Sequence, residues 1–361
     1  MDFLITPYVA VMMKYDISLS AAFVLWHLLE FVLIVLLMTI TVSWGVLLEK
    51  FLIGKFYGKK IKNILAEYLK IFIDFFNSVK KEDIIPFKSD KLLFWLAPVL
   101  VLTAAVFEWC LLPFTSNFQA IKSDVGALLF VAVFFVAILG LMFAGIASKN
   151  NFSAIGAKRV CLQQITTVIP LLISVMSIVL LAGSMNLQII VEKQYSAGFL
   201  TWFVIPAFVG FLVFITAMTA LNNLIPCNYS DAESEIVAGY KTEFSGVKYS
   251  MFKMSGYILT VAFAIYCVVL FWGGYMPPIH FFFADFFSQS KILYSLVLTI
   301  EQLFWLFLKT YILLAILFVC NAAFLRLRGD KFALIGWKYL VPLSIINLLL
   351  ICLIKQGGLY A

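Results

Sequence analysis

The sequence predicts an all-α integral membrane protein of eight transmembrane helices, with both termini outside and amphipathic helices in a long first cytoplasmic segment. Three observations carry this expectation. The chain is 64% apolar and only 12% charged, whereas a soluble domain runs near 45–50% apolar and about 25% charged. Apolar runs of about 20 residues, the length that crosses a bilayer as a helix, recur along it. The basic residues alternate between rich and poor connections, as topology demands of a polytopic protein.

The expected spans are 22–48, 93–113, 126–147, 165–184, 199–221, 254–274, 294–320 and 337–355, in a single membrane domain covering residues 1–361. The N-terminus has no basic leader or cleavage signature, so the first run is expected to be retained as a span. Counting Lys338 at the head of the last span, the four connections after spans one, three, five and seven hold 20 of the 26 lysines and arginines. The termini and the other three connections hold five: Lys14, Lys122, Lys193, Lys291 and Lys355. The positive-inside rule then puts the four basic connections in the cytoplasm. The net charge of +7 follows from this distribution and implies no nucleic-acid partner. The six cysteines form no metal-binding spacing, and His27 and His280 are far apart, so no resident metal is expected.

The first cytoplasmic segment, about 49–91, is more than a loop. Residues 49–60 mix bulky apolar groups with lysines, as in a helix lying at the headgroup level. Ile64, Leu65, Tyr68, Leu69, Phe72, Phe76 and Val79 then recur at helical spacing, with Glu67, Lys70 and Asp74 on other faces. Glu82 and Asp83 precede Pro86, which is incompatible with a continuing helix. In the second segment, Arg159 and Gln163 stand four apart and share a helix face at the mouth of span four. The last carries Arg326, Arg328 and Asp330.

The densest acidic patch follows span five: Asp231, Glu233, Glu235 and Glu243 fall within thirteen residues, in a chain with only 19 acids. Ser230 and Glu233 have capping-box spacing, so a helix is expected to begin just after Pro226. Glu30, Glu108, Glu301 and Lys309 lie inside the expected spans, where a charge is costly and each is a functional candidate. Glu301 and Lys309 stand about two turns apart along one helix, too far for a direct pair.

These segments resemble one family, the quinone-site membrane subunit of respiratory complex I, the NADH:quinone oxidoreductase, over about residues 25–355. The most specific stretch is Asp231-Ala232-Glu233-Ser234-Glu235-Ile236-Val237-Ala238-Gly239-Tyr240 with Glu243-Phe244-Ser245-Gly246. Lys81-Glu82-Asp83-Ile84-Ile85-Pro86, Arg159 to Gln163, and Arg326-Leu327-Arg328 with Asp330 stand in matching order. The resemblance implies a bacterial plasma-membrane protein that couples quinone reduction to proton translocation within a larger complex and is not catalytic alone. Quinone is then the substrate, and NADH, flavin and iron–sulfur clusters belong to other subunits. The implied partners are the peripheral-arm iron–sulfur and quinone-site subunits, other membrane-arm subunits and the lipid bilayer.

The residues implied to line the quinone chamber are Glu49, Lys55, Asp74, Glu82, Asp83, Arg159 and Gln163. Glu233, Glu235 and Glu243 would form the proton relay, and Arg326, Arg328 and Asp330 a partner interface. The sequence departs from the family pattern at Val168, Leu221 and Asn228, where acids are usual, and at Leu224, where an arginine is usual. Lys50, Lys55 and Lys59 stand for its arginines, keeping charge but losing the bidentate fork. The alternatives are the equivalent subunit of a membrane-bound hydrogenase-type complex, a divergent scaffold without proton transfer, or a stand-alone cation transporter.

Overall fold

The computed structural model describes residues 19–58, 64–195, 202–228, 237–278 and 291–357, and their regular structure is helical throughout. In chain order, α1 is Leu19–Phe56, α2 Ile64–Val79, α3 Lys91–Leu111, α4 Gly126–Ala147 and α5 Asn151–Ala182. A short α6, Leu187–Lys193, and α7, Phe208–Leu221, lead to a 3₁₀ turn at Gly239–Lys241 and then to α8, Gly246–Phe271. The chain closes with α9, Lys291–Ala323, α10, Gly329–Ile335, a π-helical turn at Gly336–Leu340, and α11, Val341–Gln356.

Among the described residues, seven helical stretches are long and apolar enough to cross a bilayer: Val24–Phe56, Lys91–Leu111, Gly126–Ala147, Asn151–Ala182, Gly246–Phe271, Leu293–Ala323 and Lys331–Gln356. The expected fifth span, 199–221, is described as helix only over its second half. α7 has 14 residues, a reach of about 21 Å against a hydrocarbon core of about 30 Å. Pro206 accounts for the late start, since it lacks an N–H and biases the preceding residue away from the helical region. Residues 202–207 form turns instead, held where the Val204 N–H donates to Phe271 O at 3.0 Å.

Two other expectations change. The run Glu49–Phe56 is not a separate surface helix but the last two turns of the 38-residue α1. No proline interrupts it, and it stops at Gly58, whose φ of +69° suits glycine. α5 starts well before the expected span at 165, because Asn150 caps it: its side chain accepts the Phe152 N–H.

α8 is the axis of the bundle. Every side chain from Ile258 to Phe271 is buried, as expected of a helix that is apolar all round. α3, α9, α1, α2, α6 and α7 all pack on it. Phe130 stacks on Tyr266 at 4.1 Å between ring centres, and the Trp109 indole donates to Ile258 O at 3.2 Å. Exposed apolar residues of α1 (Val24, Leu28, Val32, Leu36), α9 (Leu296, Ile300, Phe304) and α11 (Ile345, Leu349, Leu353) form the outer surface.

α3 and α4 approach closely because Gly140 lacks a side chain. A Cβ there would lie 2.5 Å from Val101 Cγ2 and 3.1 Å from Ala97 O. Gly256 in α8, by contrast, faces open space. Gly140→Val is expected to destabilise by about 1–3 kcal/mol through overpacking, while Gly256→Ala raises stability by about 0.5–1 kcal/mol. Thermal unfolding of the two variants in one detergent checks the opposite signs.

Candidate functional site

The polar segments meet on one side of the bundle. Glu233 and Glu235, with Asp231 and the expected capping box at Ser230, lie outside the described residues. The description resumes at Val237 and enters the 3₁₀ turn at Gly239–Lys241, which lies on the first turns of α5. Gly156 permits this contact, since a Cβ there would sit 2.6 Å from Tyr240 N. The Ser153 hydroxyl donates to Tyr240 O at 3.2 Å. Glu243 is partly buried, and the Asn150 amide donates to its Oε1 at 2.5 Å. The same asparagine thus caps α5 and holds this carboxylate beside the positive end of the helix.

Residues 81–86 lie across the start of α8 as a strap. Ser245 Oγ accepts the Ile84 N–H at 3.0 Å and donates to Glu82 O at 3.3 Å. Gly246, at φ +55°, lets the strap close in; a Cβ there would meet Lys81 O at 3.0 Å. Asp83 pairs with Lys248 at 2.9 Å. The buried Lys248 ammonium also lies 4.8 Å from the centre of the Phe94 ring, which stacks on Phe244 at 4.1 Å. Glu82 remains exposed.

Behind the strap is a cavity of about 880 Å³ between α1, α2 and α8. Its apolar wall is Met38, Val42 and Val46 of α1 with Met254 and Ile258 of α8. Asn77, Ser78 and Lys81 contribute polar groups from the α2 side, and Lys50, Ser245, Tyr249 and Lys253 complete that rim. Next to it, the Tyr257 side chain hydrogen-bonds Glu49, which Lys253 and Lys50 also attract. Lys50 lies 3.9 Å from Glu67 of α2, and Ser43 donates to the Tyr68 hydroxyl at 3.0 Å, so α2 is tied to α1. Lys55 is exposed in the last turn of α1, and Asp74 belongs to α2.

Gln163 sits elsewhere, under the loop that leaves α7. Its buried amide donates to Ala220 O at 2.6 Å, Cys227 O at 2.8 Å and Asn223 Oδ1 at 3.1 Å. Gln164 supports Leu221 O at 3.1 Å. The loop is braced from the far end of the chain: Ile225 N–H donates to Asn321, and Leu327 N–H to Pro226 O at 2.9 Å. Arg159 lies one turn before Gln163, partly buried. Arg326 and Arg328 are exposed on either side of Leu327, and Asp330 belongs to α10.

The structure therefore gathers Glu49, Glu82, Asp83 and Glu243 around one cavity and its strap, and gives Gln163 a carbonyl-pairing position apart from them. Val168 and Leu221 are buried apolar residues. Four contributors were missed in the sequence: Asn150, Ser245, Lys248 and Tyr257. Asn150, just ahead of a helical run, carried a readable cap signal. The partners of Lys248 and Tyr257 lie more than 150 residues away and leave no local trace.

The fold and this site define a polytopic helical membrane protein with a cavity under a polar strap. A family model described as NADH dehydrogenase matches residues 28–352. The H subunit of NADH-quinone oxidoreductase from Bacillus cytotoxicus is 34% identical over 318 residues, 87% of this chain and 90% of the relative. The proteins of that name from Bacillus thuringiensis subsp. konkukian and Bacillus cereus are 35% identical over the same shares. The chain belongs to this family, that of the H subunits of NADH-quinone oxidoreductase.

The Gln163 network has a thiol reporter. Burial pushes the Cys227 thiol up to about 11, so little of the reactive thiolate exists at neutral pH. Gln163→Leu removes the donor to the Cys227 carbonyl, while Ala220 O keeps the Asn223 N–H at 3.1 Å; a buried carbonyl left without a partner costs about 1–3 kcal/mol. Labelling of Cys227 by a maleimide is expected to be slow at pH 7 in the natural protein, to climb with pH toward 11, and to quicken at pH 7 in Gln163→Leu.

Proposed function

We propose that the protein is a membrane subunit of a quinone-reducing NADH dehydrogenase of the complex I type. In this reading the cavity between α1, α2 and α8 is part of the quinone chamber. Family membership supports the first part. The observation that carries the second is the cavity's lining, in which apolar residues of α1 and α8 alternate with Thr39, Ser43, Ser250 and Tyr257 and the lysines Lys50, Lys81 and Lys253 also take part. A quinone likewise has both kinds of surface, an apolar tail and a polar head. Ligand pockets of this kind combine apolar lining with a few placed polar groups.

Electrons would arrive from iron–sulfur and flavin groups on partner subunits, with NADH bound there. Reduction of a quinone takes up two electrons and two protons, and negative charge develops on its oxygens before those protons arrive. Lys50, Lys81 and Lys253 on the rim would stabilise that charge. The Glu49–Tyr257 pair, Asp83 on Lys248 and Glu243 on Asn150 would then respond to it. Carboxylates held close to one another and partly out of water titrate as a coupled set. Glu233 and Glu235 would continue that set from Glu243 and pass the redox event toward the membrane interior.

The same reading places the strap and the Arg326, Arg328 and Asp330 segment in the cytoplasm, where the peripheral arm docks, and both termini outside. α7 with the turns at 202–207 would then be the eighth crossing. Two outward lysines fit this. Lys193 donates to Ala182 O and Lys355 to Leu180 O at 2.7 Å, capping the C-terminal end of α5 at the face away from the strap.

The test is a plug. Val46→Trp fills the cavity from α1 without replacing a charged group. In the assembled complex, NADH-driven reduction of a long-chain quinone is expected to fall by about tenfold or more, the loss from misplacing a bound reactant. Reduction of a water-soluble artificial acceptor continues. Unchanged quinone reduction in a folded Val46→Trp complex refutes this placement.

A further inference from the structure

Glu108 lies three residues before the end of α3, far from the strap. From Lys91 at the strap side it is about 26 Å along the helix, which puts it in the opposite half of the membrane domain. It is 0% exposed, and neither carboxyl oxygen has a hydrogen-bond partner among the described residues. α4 carries no titratable residue. The facing half of α8 offers only Tyr266, close enough to interact with Glu108, and Cys267. The Tyr266 hydroxyl is already engaged with Ala127 O at 2.8 Å. α1, which also contacts α3, has His27 and Glu30 in its outer half, and these bond each other at 3.0 Å.

An ionised carboxylate here would be uncompensated in an apolar interior, at a cost no leucine would incur. A structural acid would have a donor aimed at it. A second buried acceptor follows at the end of the same helix. Gln119 donates its amide to Leu111 O, one turn beyond Glu108, and its own carbonyl oxygen has no donor among the described residues. Gln119 belongs to the connection after α3, where Asn117, two residues away, is exposed. Buried acid, buried acceptor and exposed loop thus follow one another toward the outer face.

We infer that Glu108 is a proton-holding site in the outer half of the membrane domain, exchanging its proton with the outside past Gln119. It takes a proton as a carboxylate and gives one up as the acid, with no other bond changed. The inference rests on the reading of the chain as part of a quinone-reducing, proton-translocating complex, and extends it to a residue that the strap and cavity do not include.

The assembled complex in liposomes tests it. Protons released outside per quinone reduced are compared for the natural protein, Glu108→Gln and Glu108→Asp, a ratio that a simple assembly defect does not alter. The ratio should fall in Glu108→Gln and recover in Glu108→Asp. The release step should slow by about a hundredfold without the acid, the lower end of what a placed proton donor contributes. Infrared difference spectra of the natural complex, oxidised against reduced, should contain a protonated-carboxyl band that shifts in D₂O and is lost in Glu108→Gln. An unchanged ratio in assembled Glu108→Gln overturns the inference, and so does absence of the band from the natural protein. A natural complex that reduces no quinone fails the functional reading instead, and the D₂O-sensitive Glu108 band in that same complex, compared with Glu108→Gln, still decides whether the site holds a proton.

Discussion

Inside a bilayer, a helix that ends or breaks must have its freed carbonyls and amides paired by protein, because lipid offers no partner. This chain interrupts its helices repeatedly near the core, and a small set of buried side chains pairs the results. Lys309 donates to the carbonyls of Trp272, Gly274 and Met276 at 2.6–3.0 Å, and lies 4.2 Å from the centre of the Trp202 ring. Gln194 joins the same region: its amide donates to Val269 O, and its carbonyl accepts from Phe203 and Gly273. Gln163 and Gln164 do the equivalent below α7. Without these groups the ends of α7 and α8 would each leave carbonyls in an apolar interior, at about 1–3 kcal/mol apiece.

The pairing also positions the cavity, because α8 starts at the strap and ends at Lys309. Its buried half is fixed by packing and by the lysine, and its first turns present Ser245, Lys248, Tyr249 and Lys253 to the cavity and its strap. Lys248 is held between Asp83 and the Phe94 ring, while Glu243 is held by the cap of α5. Under the proposed reading, a change of charge at the cavity would meet carboxylates already attached to three different helices, and such attachment would let a redox event be felt beyond the cavity.

Much of this was legible in the sequence, for reasons that also explain what was not. Apolar run length and the distribution of lysines depend on the bilayer, so the main helices and the common side of the polar segments could be read directly. α2 appeared from its helical spacing alone. The helix of the fifth span starts later than expected, because hydropathy registers Trp202 to Ala207 as apolar but not the break that Pro206 imposes. Glu49–Phe56 looked like a surface helix because lysines and aromatics suit a headgroup layer, yet nothing in it ends α1. The partners of Lys309 and Gln163 could not be read for one shared reason. They are backbone carbonyls, which have no signature in a sequence.

The central claim is that the space between α1 and α8 beneath the strap receives the quinone. A photoreactive quinone analogue, irradiated in the assembled complex and mapped by mass spectrometry, tests it most directly. Labelling of Met38–Val46 on α1 and of Tyr249–Ile258 on α8, lost in competition with natural quinone, is the predicted result. Competable labelling of the complex that spares both helices would contradict it.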